Sequence, residues 1–446
     1  MNLRRLHPSQ LSLRDLAAVV LPLLLLVLLA FWVAFRFVKP APPDGFVLAT
    51  GAEDGAYHAF GKRYREILAG HGVEVVLKGS AGSVANLKEL ADEDAEVELG
   101  LVQSGTGDAD DYPGLVSLGS VYYEPLWVFY RGAALGDRLR DLRGRRIAIG
   151  PLGSGTRRLA TQLLLVNDAW LPRTKIIDLG GKAAAAALRR GQVDVVFLVG
   201  PPDVPHIREL LLAPGIRLLS FTRTAAYTKV FPFLSAISLP RGAIDLVRDI
   251  PPHDVTLLAP TANLVAKETF HPALVDLMMQ SMAEVHGGAG LLHKEGEFPA
   301  IRSREFPPSA EAQRFYKGGP PFLQRFLPFW AATLVDRIIV MLVPIIVVLI
   351  PVLRFAPSIY TWRIRSRIFR WYGELKLLEL ELRENFDQER LAEYRDRLDM
   401  LEQRANTRPI PLAYTDQVYT LRQHIEMVRG RLEGMLRRDL TAARAS

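Results

Sequence analysis

The chain has 446 residues, 49% of them hydrophobic, with 55 Lys and Arg against 48 Asp and Glu, a net charge of +7 and no cysteine. That length predicts two or three domains. The missing thiols exclude a disulfide framework, a cysteine nucleophile and a cysteine-held metal. The modest basic excess, much of it beside apolar segments, points to membrane topology before nucleic acid.

Leu16 to Phe35 is apolar without a charge, and about 20 such residues suffice to cross the hydrocarbon core as a helix. Arg4, Arg5 and Arg14 precede it, and Arg36 and Lys39 follow, which puts the N-terminal end in the cytoplasm. A cleavable signal has a shorter apolar region and small residues at its cleavage site. Phe35-Arg-Phe-Val-Lys39 is a poor site. The expectation is a cytoplasmic stretch 1–15 and a retained transmembrane helix 16–38, with cleavage as the alternative. Residues 39–44 then form a stiff proline linker.

Short apolar runs follow at 46–50, 73–77, 99–103, 146–149, 176–179 and 193–199, mostly separated by helical patterns. Such alternation predicts an α/β body with parallel sheets covered on both faces. Ligands of such sheets bind beyond the C-terminal strand ends, and those ends are polar and glycine-rich. Thr50 and Gly51 open the first, Gly79 to Asn86 forms the second, Gln103 to Thr106 the third, and Gly150-Pro-Leu-Gly-Ser-Gly-Thr156 the fourth. The last reads as strand, glycine turn and helix, whose first-turn N–H groups favour an anion. No Lys-Ser/Thr follows its final glycine, so it is not a P-loop. The plainer alternative is that the glycines turn the chain while Ser154 or Thr156 caps the helix.

Taken in order, Thr50-Gly…Gly55-x-Tyr57…Gly61, Gly82-Ser-Val-x-Asn86, Gly100-Leu-Val-Gln103, Leu142 to Thr156 and Gly191-Gln-Val-Asp194 resemble the TAXI solute receptors. These are the extracytoplasmic binding subunits of one branch of tripartite ATP-independent periplasmic (TRAP) transporters. The resemblance covers roughly residues 45 to 290. It implies a two-lobed periplasmic-binding-protein fold of type II-like form, over 45–320. Its crossover strands are expected near Leu126–Tyr130 and Phe233–Ile237. The first lobe would be about 45–125 with 238–320, and the second about 131–232. The implied ligand is a small carboxylate, an amino acid or dicarboxylate, handed to TRAP permease subunits. Matching positions imply contacts from Thr50, Gly51, Tyr57, Ser83, Asn86 and Gln103 of the first lobe and Ser154, Gly155 and Thr156 of the second. Tyr122 and Tyr123, at the hinge, are further candidates.

Other signals are weaker. The histidines, among them His58, His271, His286 and His293, show no metal spacing, so no metal or cofactor is expected. Glu53-Asp54 suits a calcium ion or general-acid chemistry, but a single adjacent acidic pair is usually a solvated loop. Ser154 has no visible base and there is no Gly-x-Ser-x-Gly elbow, so no enzyme activity is expected. Thr261-Ala-Asn263 either reaches the cleft or simply turns the chain.

A second apolar segment spans 338–354, approached by an interfacial stretch 321–337 and followed by Arg354, Arg363, Arg365, Arg367 and Arg370. The positive-inside rule makes residues 355–446 cytoplasmic. With both termini inside a bacterial inner membrane, the body is extracytoplasmic. Trp371, Leu375, Leu378 and Leu382 recur at helical spacing, as do Leu391, Tyr394, Leu398 and Leu401. Arg408-Pro-Ile-Pro411 stops the helix, and Val418, Leu421, Ile425, Val428, Leu432 and Met435 form an a/d seam. A helical hairpin or coiled coil is expected, either packing on itself or pairing with a second copy. Two functions follow: a tethered receptor serving uptake, or a ligand-gated sensor or scaffold whose tail recruits a partner.

Overall fold

The computed structural model describes residues 13–37, 41–136, 138–407, 410 and 414–443. The expected N-terminal stretch before residue 13, the start of the linker at 38–40 and the helix stop at Arg408, Pro409 and Pro411 lie outside the described residues. The chain forms two units, Pro40–Leu334 and a second made of Met1–Lys39 with Val335–Ser446.

In chain order the elements are α1 (Leu13–Phe37), β1 (Gly45–Ala49), α2 (Ala56–Ala69), β2 (Glu74–Lys78), α3 (Ser83–Ala91), β3 (Val97–Gln103), β4 (Leu115–Tyr123), β5 (Leu126–Arg131), β6 (Arg146–Ala148), α4 (Gly155–Val166), β7 (Lys175–Ile177), α5 (Gly181–Arg189), β8 (Val195–Val199), α6 (Pro205–Leu212), β9 (Ile216–Leu218), α7 (Thr224–Val230), β10 (Ser235–Leu239), β11 (Val255–Ala259), β12 (Thr261–Lys267), α8 (Pro272–His286), α9 (Ala310–Gly318), α10 (Phe329–Glu384), α11 (Leu391–Thr407) and α12 (Thr415–Ala443).

Two five-stranded sheets organise the Pro40–Leu334 unit, in the orders β2-β1-β3-β12-β4 and β7-β6-β8-β5-β9. In the first, β1 is parallel to β2 and β3, and β12 runs antiparallel to both its neighbours. In the second, β6 is parallel to β7 and β8, and β5 is antiparallel to β8 and β9. Each sheet therefore receives one antiparallel strand from the chain that crosses between lobes. Helices cover both faces, so the central strands are apolar throughout rather than alternating; Leu126 to Tyr130 is wholly buried. Against this, α2 buries Tyr57, Gly61, Tyr64 and Leu68, the single stripe of an amphipathic helix.

The first crossover lies where expected, with Glu124 and Pro125 linking β4 to β5. The second does not fall at Phe233–Ile237. There the chain forms the β10–β11 antiparallel pair, whose Leu234, Ile237, Leu239, Leu257 and Leu258 pack into the cores flanking the second sheet. It returns at Pro260, between β11 and β12, so the second lobe runs on to Ala259. Both apolar runs suit a strand, and only pairing with each other decides that both belong to the second lobe. The crossovers run side by side, the Glu124 N–H donating to the Pro260 carbonyl at 2.9 Å.

In the other unit, α10 is one helix of 56 residues with Pro344, Pro351 and Pro357 inside it. Among the described residues it is the helix long and apolar enough to cross a membrane, whereas Ala17–Val33 of α1 is a shorter apolar helix. The expected hairpin is instead three helical segments. Ile364, Ile368, Trp371, Leu375, Leu378 and Leu382 of α10 share a core with Tyr394, Leu398 and Leu401 of α11 and Val418, Leu421, Ile425, Val428 and Leu432 of α12. Ion pairs fix the directions. Glu381–Arg397 and Glu374–Arg404 set α11 antiparallel to α10, and Arg431–Glu379, with the Tyr414–Thr361 hydrogen bond, sets α12 parallel to α10. The seam of α12 is thus filled by this chain's own helices.

Candidate ligand-binding site

Strands β1, β3, β6 and β8 all end at one cavity of about 230 Å³ between the lobes. Five helices begin there. The first residues of α2, α3, α4 and α5, with Val204 and His206 at the start of α6, line the walls. The first turn of each helix carries the positive end of the dipole to the walls without a side-chain cation, although the Ala85, Arg157 and Lys182 N–H groups are already taken by the Gly153 carbonyl, Ser154 Oγ and the Asp54 carboxylate. Among the described residues no Lys or Arg lines the cavity. The neighbouring Arg157 is committed to the Asp178 carboxylate and to the Gly150 carbonyl at 3.3 Å.

The lobes touch across this space. The Gln103 side-chain amide donates to the Gly155 carbonyl at 3.2 Å, and the Ala85 N–H to the Gly153 carbonyl at 3.1 Å. Gly150, with φ of 97°, needs the left-handed region, and a Cβ there would stand 2.7 Å from Ser154 Oγ.

Of the residues expected from the sequence, Gly51, Tyr57, Ser83, Gln103, Ser154, Gly155 and Thr156 line the cavity. Ser154 is also the cap of α4: its Oγ accepts from Arg157 N–H at 3.2 Å and donates to the Pro151 carbonyl at 2.8 Å. Its proton is spent on the turn, so the plain capping reading holds for Ser154, and Thr156 is the half-buried hydroxyl beside it. The other four lie behind the wall. Thr50 is buried with its hydroxyl near the Lys78 carbonyl at 3.2 Å. Asn86 donates to the Leu101 carbonyl at 2.7 Å, tying α3 to β3. Tyr122 packs its ring on Phe60 and His286. Tyr123 donates to Glu297 at 3.0 Å beneath the Arg302 guanidinium. Thr261 and Asn263 do not reach the cleft; they form a buried network with Ser104 and Ser120. Asp194, from another matched motif, is structural, its carboxylate holding Arg146 at 2.7 Å.

Two further wall residues, His206 and Glu124, were not singled out in the sequence, and a third, Asp54, was read there as a solvated loop. Asp54 is not a purely solvated loop residue, since its carboxylate accepts from the Lys182 N–H at 3.4 Å at the mouth. His206 is buried, which lowers its pKa against the opposing pull of Asp54 and Glu209, so the ring is neutral at pH 7. Glu124 is the most consequential. It sits on the first crossover, 4% exposed, and its Oε2 accepts from the Tyr57 hydroxyl at 2.9 Å. Tyr57 in turn lies 3.2 Å from Ser83 Oγ, which accepts from Gln103 N–H at 2.9 Å. Burial pushes the Glu124 carboxyl up to about 8; the Tyr57 hydroxyl pulls the other way, as does the Tyr122 hydroxyl, which faces the same group without a well-formed hydrogen bond. The remaining notable histidines do structural work: His286 pairs with Tyr64 at 2.6 Å, and His271 caps α8.

Two α/β lobes joined by adjacent crossovers, with a polar cavity at the strand ends, define a solute-binding protein of the periplasmic-binding-protein fold. The chain resembles a Bordetella bronchiseptica RB50 protein, with 18% identity and a TM-score of 0.38 over 54% of this chain and 70% of that one. It also resembles the alkanesulfonate-binding protein SsuA from Xanthomonas axonopodis pv. citri bound to MOPS, with 15% identity and a TM-score of 0.34 over 56% and 82%. The periplasmic aliphatic sulphonate binding protein SsuA from Escherichia coli matches with 13% identity and a TM-score of 0.35 over 71% and 84%. The model of the NMT1-like family matches residues 48–317, and the chain belongs to that family. The family and the fold are those of small-ligand-binding proteins.

Proposed function

We propose that the chain is a membrane-tethered extracytoplasmic receptor of the TAXI type, which binds a small carboxylate solute and presents it to TRAP permease subunits. The observation that carries this reading is the convergence of five helix N-termini on a small cavity without Lys or Arg in its walls. Backbone N–H groups with the hydroxyls of Tyr57 and Thr156 suit a carboxylate, which they hold without burying a lone cation. The cavity is small, as a ligand of a few carbons needs. Tethering is supported by α10 and, with less length, by the apolar part of α1. The arginines from Arg354 to Arg370 support a cytoplasmic tail, and with it the reading that both termini face inward from a bacterial inner membrane. A homodimer through the α12 seam is not part of the proposal, because that seam is occupied.

One observation favours the alternative of a ligand-gated sensor or scaffold. The helix that contributes Phe329 to the receptor core also contributes Ile364 to Leu382 to the tail core. Deleting residues 358–446 separates the two. Uptake of the ligand that survives the deletion supports the receptor; affinity that survives while a cellular response is lost supports the sensor.

A further inference from the structure

Resting on the reading of this cavity as a carboxylate site, we propose that Glu124 is its specificity-determining residue. Its carboxylate accepts hydrogen bonds from a ligand ammonium group, so that the solute is an α-amino acid and not a dicarboxylate.

Three observations carry this. The first is placement. Glu124 is buried on the crossover and lines the cavity, joined through the Tyr57 hydroxyl, at 2.9 and 3.2 Å, to Ser83 at the start of α3. An acceptor that becomes negative when it ionises therefore stands two hydrogen bonds from the start of α3. That is the separation at which a molecule carrying a carboxylate and an ammonium on one carbon reaches both. The second is charge balance. The acidic groups lining the space are Glu124 and the exposed Asp54 at its mouth, and no Lys or Arg offsets them. A dicarboxylate brings a second negative charge with no side-chain cation to meet it, whereas a zwitterion brings its own. The third is the state of Glu124 without a ligand. Burial keeps the carboxyl largely protonated at neutral pH, and an ammonium within hydrogen-bond reach restores the charged form. Binding an amino acid then releases one proton from Glu124 to solvent.

The sign of the pH dependence follows. Tyr57 from α2 and Tyr122 from β4 face Glu124, and His206 from α6 and Asp54 at the mouth line the same cavity. Burial raises both tyrosines well above their ordinary value and keeps His206 neutral. Between pH 6 and 8.5 an ammonium ligand gains affinity as Glu124 ionises more readily. A ligand whose carboxylate took a hydrogen bond from protonated Glu124 would lose affinity over the same range.

The test is calorimetric titration of the full-length protein in detergent at pH 6 and pH 8.5, with matched pairs that differ only by the amino group: L-glutamate and glutarate, L-leucine and 4-methylpentanoate, L-alanine and propanoate. The amino-acid member of at least one pair should bind roughly a hundredfold tighter than its partner, as sites that hydrogen-bond an N–H group discriminate strongly. It should bind about tenfold or more tighter at pH 8.5 than at pH 6. Glu124→Gln should abolish the pH dependence and most of the discrimination. Should that variant fail to fold, the sign of the wild-type pH dependence decides alone. A deaminated member that binds as well as its partner, or with affinity falling as pH rises, overturns the proposal and leaves the carboxylate site standing. If no member of any pair binds to a folded sample, the carboxylate reading itself fails and the proposal with it.

Discussion

Gly155→Ala should weaken ligand binding while leaving the stability of the empty protein within about 1 kcal/mol of wild type. A Cβ at this position would stand 2.7 Å from Gln103 Oε1, 2.9 Å from its Cδ and 3.1 Å from its Cβ. The amide can swing aside, but only by breaking its 3.2 Å bond to the Gly155 carbonyl. The Gln103 Cβ is fixed at the end of β3 and cannot retreat. The start of α4 must therefore move away from β3 by a few tenths of an ångström, opening the lobes where they close on a ligand. Losing one such hydrogen bond costs about 1 kcal/mol. With imperfect closure added, the total is about 1–2 kcal/mol, or roughly 5- to 30-fold in affinity. In the empty protein the same lost bond is offset by an opposing gain. Gly155 follows the Ser154 cap as the first residue of α4 and needs no left-handed backbone, so alanine contributes about 0.5–1 kcal/mol through helix propensity and a less flexible unfolded chain. Titration calorimetry of wild type and variant with the best ligand of a carboxylate panel reads the first effect, and thermal unfolding without ligand reads the second. An affinity within twofold of wild type, in a folded variant, would refute the argument that the Gln103–Gly155 approach sets closure.

Tyr57→Phe removes the hydroxyl that links Glu124 to Ser83 and should lower ligand affinity about tenfold or more, read by the same titration, because a charged acceptor loses its donor. Glu124→Gln should leave the ligand-free protein equally stable near pH 4, where the carboxyl is protonated in both folded and unfolded states. Since burial raises the folded value from 4.5 to about 8, wild-type stability relative to the variant falls as pH rises through that interval. By pH 7 the variant should be more stable by up to about 3 kcal/mol, which a pair of urea unfolding series at pH 4 and pH 7 would measure. Leu398→Ala empties a fully buried position of the three-helix tail and should destabilise that unit by about 2–5 kcal/mol, seen as faster proteolysis of the tail, with ligand affinity unchanged.

Much of the cavity was legible because its walls are made locally. A short apolar run followed by glycine and a hydroxyl residue marks a parallel strand feeding a helix, and residues 51–57, 82–83, 103 and 150–156 all carry that signature. Thr50 and Asn86 share the pattern but serve the scaffold, because a strand-end residue one position earlier, or a helix residue one turn later, points behind the wall instead of into it. Glu124 carried no such mark. It lies between two tyrosines and a proline on a strand-to-strand link, and only the meeting of both crossovers makes it a cavity residue. The second crossover was misplaced for a related reason. Residues 235–239, 255–259 and 261–267 are all short strands, and the choice of which one crosses depends on long-range pairing, not on composition. In the tail, heptad-like spacing identified the core positions of α11 and α12, while the continuation of α10 through three prolines and out of its apolar stretch is not reported by periodicity.

The central claim, that this cavity binds a small carboxylate, is tested most directly by titrating a panel of amino acids and small carboxylates into the purified full-length protein and into its Tyr57→Ala and Thr156→Ala variants. The account predicts saturable binding to the wild type, with a stabilisation of about 2.7 kcal/mol at a hundredfold excess over the dissociation constant, and its loss in both variants. A folded wild type that binds nothing in the panel, or binding that neither substitution touches, would contradict it.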